Sequence, residues 1–128
     1  MEFLTDSDIV RLSNPDVVSE QLLSPHNSAS TRVTITRVTI QTGASQPRHA
    51  HDRSEQIWIA IQGDGLLTLA GQESRPFRAG EIARFPDGHV HGFKNTGAEP
   101  FVYIAVTSPP INFNYAYAIR AGASGGAR

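Results

Sequence analysis

A chain of 128 residues with 39% apolar residues, 18% charged residues and a net charge of −1 has the size and composition of one globular domain. This balance excludes a disordered tail and a polybasic nucleic-acid binder, and no apolar run is long enough for a membrane helix, so we expect neither nucleic acid nor membrane as partner. The sequence contains no cysteine. Disulfides and thiolate-held metals are therefore excluded, and any metal must be bound by nitrogen and oxygen.

The N-terminal part is the hardest to interpret. Residues 1–30 are treated as an N-terminal extension whose secondary structure the sequence does not decide. Asn14-Pro15 has the form of a helix start, whereas Val17-Val18 and Leu22-Leu23 fit an extended segment equally well. Residues 1–6 have neither the basic region nor the apolar stretch of a secretory signal. We therefore expect a cytoplasmic protein.

Residues 31–120 are predicted to form an all-β domain, beginning with a segment rich in β-branched residues at 32–40. Val33 and Ile35 have one parity along this segment, and Val38 and Ile40 have the other. A bulge near Thr36-Arg37 would bring all four side chains to the same face, so we expect one there.

Five further short strands are predicted at residues 57–61, 66–70, 82–85, 91–94 and 101–106. Turn residues bound them: Gly63-Asp64-Gly65, Pro86-Asp87-Gly88 and Asn95-Thr96-Gly97. Many short strands without a long helical period favour an antiparallel sandwich or a small barrel. Residues 121–128 are rich in glycine and alanine and are predicted to be a flexible tail.

Four of the five histidines form two pairs, His49 with His51 and His89 with His91. On a strand, a spacing of two places both imidazoles on one face, as two ligands of a single ion require. A polar, solvent-facing strand would give the same pattern, so the pair alone does not establish a metal site.

The histidines belong to two longer blocks of spaced residues. The first block contains Gly43, His49, His51, Gln56 and Gly63, and the second contains Gly80, Pro86, Asp87, Gly88, His91 and Asn95. These blocks resemble the paired motifs of the cupin superfamily. The resemblance implies a double-stranded β-helix, or jelly-roll barrel, with one divalent metal inside. In such proteins the two His and the Glu of the first motif and the His of the second bind the metal.

The chain departs from this pattern at the fourth ligand, because Gln56 occupies the position where the family usually has glutamate. Glu55 lies one residue earlier and would face the opposite side of the strand. Hydrophobicity allows either register, since the strand alternates apolar residues on both sides. The distance to the glycine turn favours Gln56, so we predict His49, His51, Gln56 and His91 as the metal ligands.

A neutral donor set has chemical consequences. An amide oxygen is an acceptable ligand for a hard cation, but it leaves the charge of the ion uncompensated. We expect weaker metal binding, a stronger Lewis acid and less support for a ferric state than with glutamate.

The function expected from this site is non-redox chemistry of the isomerase, lyase or cyclase kind on a small, oxygen-rich substrate. A dioxygenase and a non-catalytic ligand-binding module are the alternatives. Zn, Fe, Mn and Ni are the candidate ions, and Glu55 or a metal-bound hydroxide is the candidate base.

Aromatic and aliphatic residues add two expectations. Trp58 and Tyr103 are predicted to lie nearest the cavity, although core packing is the commoner role of strand aromatics. If Gln56 faces inward, Ile57, Ile59 and Ile61 face outward and require cover. We therefore predict a homodimer.

Overall fold

The computed structural model describes residues 1–122 and shows two antiparallel sheets packed face to face. The strands in this part of the chain are β1 (Val10–Asn14), β2 (Val17–Leu23), β3 (Thr34–Ile40), β4 (Ser45–His49), β5 (Glu55–Gln62), β6 (Asp64–Leu69), β7 (Ser74–Arg78), β8 (Ile82–Phe85), β9 (His91–Lys94), β10 (Phe101–Ser108) and β11 (Ile119–Gly122). Two short 3₁₀ segments, Asp6–Asp8 and Phe113–Ala116, complete the regular structure.

The pairing of the strands is that of a double-stranded β-helix. The larger sheet has the order β11-β1-β2-β3-β10-β5-β8, and the smaller sheet has the order β4-β9-β6-β7. Strands β3, β4, β5 and β6 pair in turn with β10, β9, β8 and β7. The chain thus forms one long hairpin wound between two sheets, and the predicted all-β jelly-roll fold is confirmed.

Side chains from the inner faces fill one end of the barrel and leave the other end open. Phe77, Phe93 and Phe101 are at most 2% exposed and pack together, with the rings of Phe93 and Phe101 stacked 4.1 Å apart. Along β10, Tyr103 and Ala105 follow Phe101 on the same inner face, and both line a cavity. The phenylalanine cluster therefore closes the barrel beneath this cavity.

The glycine turn after β5 sets the register of the candidate ligand strand. Gly63 has a φ of +89°, which favours glycine, and a side chain there would lie only 3.0 Å from the carbonyl oxygen of Pro100. Counting back from this turn, Gln56, Trp58 and Ala60 are buried on the inner face.

The expected bulge near Thr36-Arg37 is wrong. Strand β3 pairs with β10 in continuous register, so Thr36 faces inward with Val38 while Ile35 lies on the other face. The irregularity lies in the neighbouring strand β2, between Gln21 and Leu23. A threonine is accommodated inside because Thr36 borders the cavity rather than the phenylalanine cluster.

The N-terminal segment is extended, which is one of the two conformations that the sequence allowed. Strands β1 and β2 form a hairpin through Pro15 and Asp16, and Asp16 adopts a φ of 63°, so the helix start suggested by Asn14-Pro15 is wrong. On its other side β1 pairs with β11, which includes Ala121 and Gly122 of the predicted tail. The remaining tail residues, 123–128, lie outside the described part. Within residues 1–122, no helix has the length and apolarity needed to cross a membrane.

Candidate metal centre

Three imidazoles from separate segments converge at the open end of the barrel. His49 ends β4, His51 follows in the adjoining loop, and His91 begins β9 directly opposite His49. The ring centroids lie 4.5 Å apart for His49 and His91 and 4.9 Å apart for His49 and His51. One ring nitrogen from each histidine lies within 4.8 Å of the other two, a spacing that suits a common ion.

Backbone carbonyls orient two of these rings. The Nδ1–H of His49 donates to the carbonyl oxygen of Pro47 at 2.8 Å, and Nδ1 of His91 lies 2.9 Å from the carbonyl oxygen of His89. Nε2 of His49 therefore carries a lone pair, and Nε2 of His91 does so in the tautomer with its proton on Nδ1, as in histidines that bind metals through Nε2. The Nε2 of His51 is buried without any hydrogen-bond partner.

Gln56 is buried beside His91 with its amide oxygen held in place. The indole N–H of Trp58 donates to Oε1 at 2.9 Å, and the amide Nε2 donates to the hydroxyl of Thr107 at 2.9 Å. Since an indole N–H can only donate, this contact determines which end of the amide faces Trp58. The same Oε1 lies 2.9 Å from Nε2 of His91.

One of the two polar contacts of the His91 ring lacks a proton. Burial, with a smaller contribution from the neighbouring His49, lowers the pKa of His91 to about 3, so its ring is neutral at pH 7 and has one N–H. That single N–H faces two acceptors, the carbonyl oxygen of His89 and Oε1 of Gln56. A cation bound by Nε2 and Oε1 together would satisfy both atoms, so the donors fit a metal ion.

Burial also favours the neutral, ligating form of His51. Its pKa is lowered to about 4, chiefly by burial and then by His49. Burial lowers the pKa of His49 as well, although the hydrogen bond to Pro47 opposes this shift.

Glu55, the alternative fourth ligand and the candidate base, lies on the outer face of β5. Its carboxylate forms an ion pair with Arg84 at 2.6 Å. Strand alternation places it opposite Gln56, so its side chain cannot reach the histidines. Of the two residues, the one directed at them is Gln56.

A cavity of about 200 Å³ adjoins the histidines. Trp58 and Tyr103 line it, as predicted, and their rings are stacked 4.1 Å apart. Its wall is completed by Asn14, Ser19, Thr36, Val38, Gln46, Pro47, His49, His51, Gln56, Ala105, Phe113, Tyr115, Ala116 and Tyr117. In the part of the chain that the structure describes, none of these residues is an aspartate, glutamate, lysine or arginine.

Sequence reasoning missed the segment that covers the mouth of this cavity. The 3₁₀ segment Phe113–Ala116 contributes Phe113 and Tyr115, and Tyr117 follows it. Phe113 lies edge-on to His51, with ring centroids 5.8 Å apart. The alternation of aromatic residues at 113, 115 and 117 was the available signal.

Asn95 and three exposed polar residues lie outside the candidate metal centre. Asn95 is 1% exposed, donates to the carbonyl oxygens of Ile40 and Glu99 and accepts from the backbone N–H of Gly97, so it closes the turn as predicted. Arg48, Arg84 and His89 are exposed and do not line the cavity.

Comparison with known proteins identifies the family. The family model described as "Cupin domain" matches residues 36–107, more than half of the chain and all of the paired strands that carry the histidines. The chain belongs to the cupin family. The predicted resemblance is confirmed, together with the fold that it implied.

Individual cupins show how far the likeness extends. The chain is 27% identical to oxalate oxidase GF-3.8 of Triticum aestivum over 128 residues, covering 88% of this chain and 57% of that protein. Most of this chain aligns with the curated plant relatives, but the aligned part is only about half the length of those relatives.

Solved structures show the same fold. KdgF from Halomonas sp. has a TM-score of 0.69 at 24% identity, covering 85% of this chain and 94% of that chain. The polyketide cyclase RemF from Streptomyces resistomycificus has a TM-score of 0.72 at 17% identity, covering 95% and 84%. At these identities the likeness concerns the fold alone.

Proposed function

We propose that this cupin binds one divalent metal ion through His49, His51, Gln56 and His91 and acts on a small, oxygen-rich substrate by non-redox chemistry of the isomerase, lyase or cyclase kind. The observation that carries the proposal is the contact of 2.9 Å between Gln56 Oε1 and His91 Nε2, in a ring whose single N–H faces two acceptors. Two ligands at adjacent positions of an octahedral ion, each about 2.1 Å away, lie about 3.0 Å apart. Zn, Mn, Fe and Ni all accept such nitrogen and oxygen donors.

The remaining donors support the same ion. The Nε2 of His51 is buried without a partner, and its ring lies 4.9 Å from that of His49 and 5.9 Å from that of His91. An unpaired polar atom in a buried site costs about 1–3 kcal/mol, which a bound ion would recover. The three ring nitrogens thus lie within 4.8 Å of one another, and Oε1 of Gln56 adjoins that of His91.

The charge of the donor set favours polarisation of a substrate oxygen. When bound, the ion would supply a Lewis acid that lowers the pKa of a coordinated hydroxyl or enol, because three imidazoles and an amide leave its charge uncompensated. Trp58 and Thr107 hold Gln56 in the ligating orientation, and Phe113 shields His51 from solvent. These contacts hold the ligands in place, and groups fixed before the reaction stabilise developing charge more strongly.

A redox reaction is the second candidate, favoured by the 27% identity to a protein named as an oxalate oxidase. The neutral donor set argues against it, because a ferric ion is better supported by a carboxylate. Oxygen consumption by iron-loaded protein, measured with a panel of diketones and catechols, distinguishes the two. Turnover of a substrate with oxygen uptake would replace the non-redox proposal.

Zinc titration of the dialysed protein tests the metal site itself. We expect one ion per chain, loss of binding in His49→Ala, and unchanged binding in the control His89→Ala, whose ring is exposed. Equal binding by both variants would contradict the proposed ligand set. Wild-type protein that binds a small molecule without any metal would favour a non-catalytic module.

The outer face of the larger sheet supports the homodimer that we also propose. Ile57 and Ile59 point outward, and Ile59 lies in register between Ile104 on β10 and Ile82 on β8. Ile82 is 67% exposed and Ile61 is 54% exposed. A second copy presenting the same face would cover this apolar row. The cytoplasmic location expected from residues 1–6 stays a prediction.

A further inference from the structure

The cavity is layered, and strand register gives the order of the layers. Gln56 pairs with Thr107, Trp58 with Ala105 and Ala60 with Tyr103, so these pairs form successive levels between β5 and β10. Neighbouring levels lie two residues, or about 6.6 Å, apart along the strand. The metal ligands occupy the first level, and Trp58 forms the wall of the second.

The third level carries hydroxyl and amide groups. Tyr103 pairs with Val38, and Val38 pairs with Ser19 on β2, so all three lie at this depth. The amide Nε2 of Gln46 donates to the hydroxyl of Tyr117 at 3.0 Å. Gln46 lies opposite Phe93 on β9, two residues beyond His91, so the Tyr117–Gln46 pair lies deeper in the barrel than the histidines. The end of the cavity away from the histidines is therefore polar.

This polar end holds no charge. The described residues that line the cavity include no ionised side chain at pH 7, since burial raises the pKa of Tyr103 and Tyr117 above the usual value and keeps their hydroxyls protonated. A carboxylate placed there would lose its hydration without meeting a cation. A hydroxyl or carbonyl oxygen would find both donors and acceptors.

We propose that the substrate is a flat molecule with one acidic oxygen, an enol or phenol, at the metal and an uncharged hydroxyl or carbonyl oxygen at the Tyr117–Gln46 pair. The inference rests on the proposed function, because it takes the metal end as given. The aromatic walls of Trp58, Tyr103 and Tyr115 favour a planar body between the two ends. Dicarboxylates, and sugar acids whose carboxylate lies away from the metal, are excluded by the uncharged end.

Three matched probes test this substrate class on zinc-loaded protein by calorimetry. They are ortho-hydroxyacetophenone, its derivative with a second hydroxyl para to the first, and its derivative with a carboxylate in that same position. We expect the dihydroxy probe to bind about tenfold more tightly than the parent, and the carboxylate probe about tenfold more weakly. A carboxylate probe that binds as tightly as the dihydroxy probe would overturn the inference.

Deleting one hydroxyl of the protein tests where the second hydroxyl of the probe binds. Tyr117→Phe should remove the advantage of the dihydroxy probe and leave the parent compound unaffected. Thr96→Val is the control, because it deletes a hydroxyl at an exposed turn position that does not line the cavity, and it should behave like wild type. Retention of the full advantage in Tyr117→Phe would contradict the placement.

Metal content, measured on the same samples, separates the two proposals. Protein that holds zinc but binds none of the probes, or prefers the carboxylate, refutes the substrate class and leaves the metal site standing. Protein that does not retain zinc refutes the proposed function itself. Thermal unfolding of each variant shows that lost binding does not reflect lost folding.

Discussion

At the scale of single residues, one amide determines the charge of the candidate metal centre. Gln56 supplies an oxygen in the position and orientation that a glutamate would occupy, but without a negative charge. Trp58 donates to that oxygen and Thr107 accepts from the amide nitrogen, and the side chain cannot reverse without losing the contact to Trp58, whose indole N–H can only donate. The site therefore depends on Gln56 for charge and on Trp58 for orientation.

Gln56→Glu should tighten metal binding, because the carboxylate cancels one unit of the charge of the ion at nearly unchanged volume. We expect at least about a tenfold slower loss of zinc to a chelator, followed spectroscopically. Gln62→Glu, which adds the same charge at an exposed position of β5, is the control and should leave the rate unchanged. Equal rates for wild type and Gln56→Glu would show that residue 56 is not a ligand.

Trp58→Phe should weaken metal binding through Gln56, since it deletes the N–H that orients Oε1. Loss of such a supporting hydrogen bond costs about 10–100-fold in metal affinity. Phe101→Leu, at the closed end of the barrel, is the control for the loss of aromatic packing without loss of the indole N–H. It should lower the thermal stability but not the zinc affinity, both measured on the same samples. A Trp58→Phe variant with wild-type zinc affinity would refute the orienting role.

At the scale of strands and turns, the sequence predicted the elements that glycine turns separate, and the structure contains all of them. Strands β4 and β7 were missed because they carry proline and arginine on the surface instead of alternating apolar residues. Pro47 is tolerated because β4 lies at the edge of its sheet. Consequently the motifs predicted that His49 and His91 share one ion, but not that β4 and β9 pair directly at these two residues.

Gly92 determines how closely β4 approaches β9. A Cβ at this position would lie 2.7 Å from the carbonyl oxygen of Gln46 and 2.9 Å from the backbone nitrogen of Arg48, next to His49. Gly92→Ala should therefore displace β4, lowering the free energy of unfolding by about 1–3 kcal/mol and also weakening zinc binding.

Gly71→Ala is the matched control for this displacement. Gly71 has a φ of +68° with nothing within 4 Å, so the substitution adds backbone strain of about 1 kcal/mol far from the histidines. Its zinc affinity should equal that of wild type. If Gly92→Ala also bound zinc normally, the β4–β9 contact would not position His49.

At the scale of the whole molecule, the parts of the site that the sequence did not reveal depend on distant contacts. The segment Phe113–Ala116 reaches the cavity because Thr34 exchanges hydrogen bonds with the backbone of Ile111 and Asn14 accepts from the backbone of Ala118. No local pattern encodes such contacts. Likewise, the sequence predicted the outward isoleucines of β5, but their continuation by Ile104 and Ile82 becomes visible only when β10, β5 and β8 are placed side by side.

Ile59→Arg should convert the proposed dimer to a monomer, because it places a charge in the middle of the apolar outer face. Light scattering should give wild type twice the 13.9 kDa mass of the chain and the variant a single chain mass. Ile119→Arg, an exposed position on the opposite edge strand β11, should remain dimeric. A monomeric wild type at micromolar concentration would contradict the dimer.

A crystal structure of the zinc-loaded protein, with anomalous data at the zinc edge, tests the central claim most directly. We predict one anomalous peak per chain, about 2.0–2.2 Å from Nε2 of each of His49, His51 and His91 and from Oε1 of Gln56. A peak bound by other residues, or imidazoles turned toward bulk solvent in the loaded protein, would contradict the account.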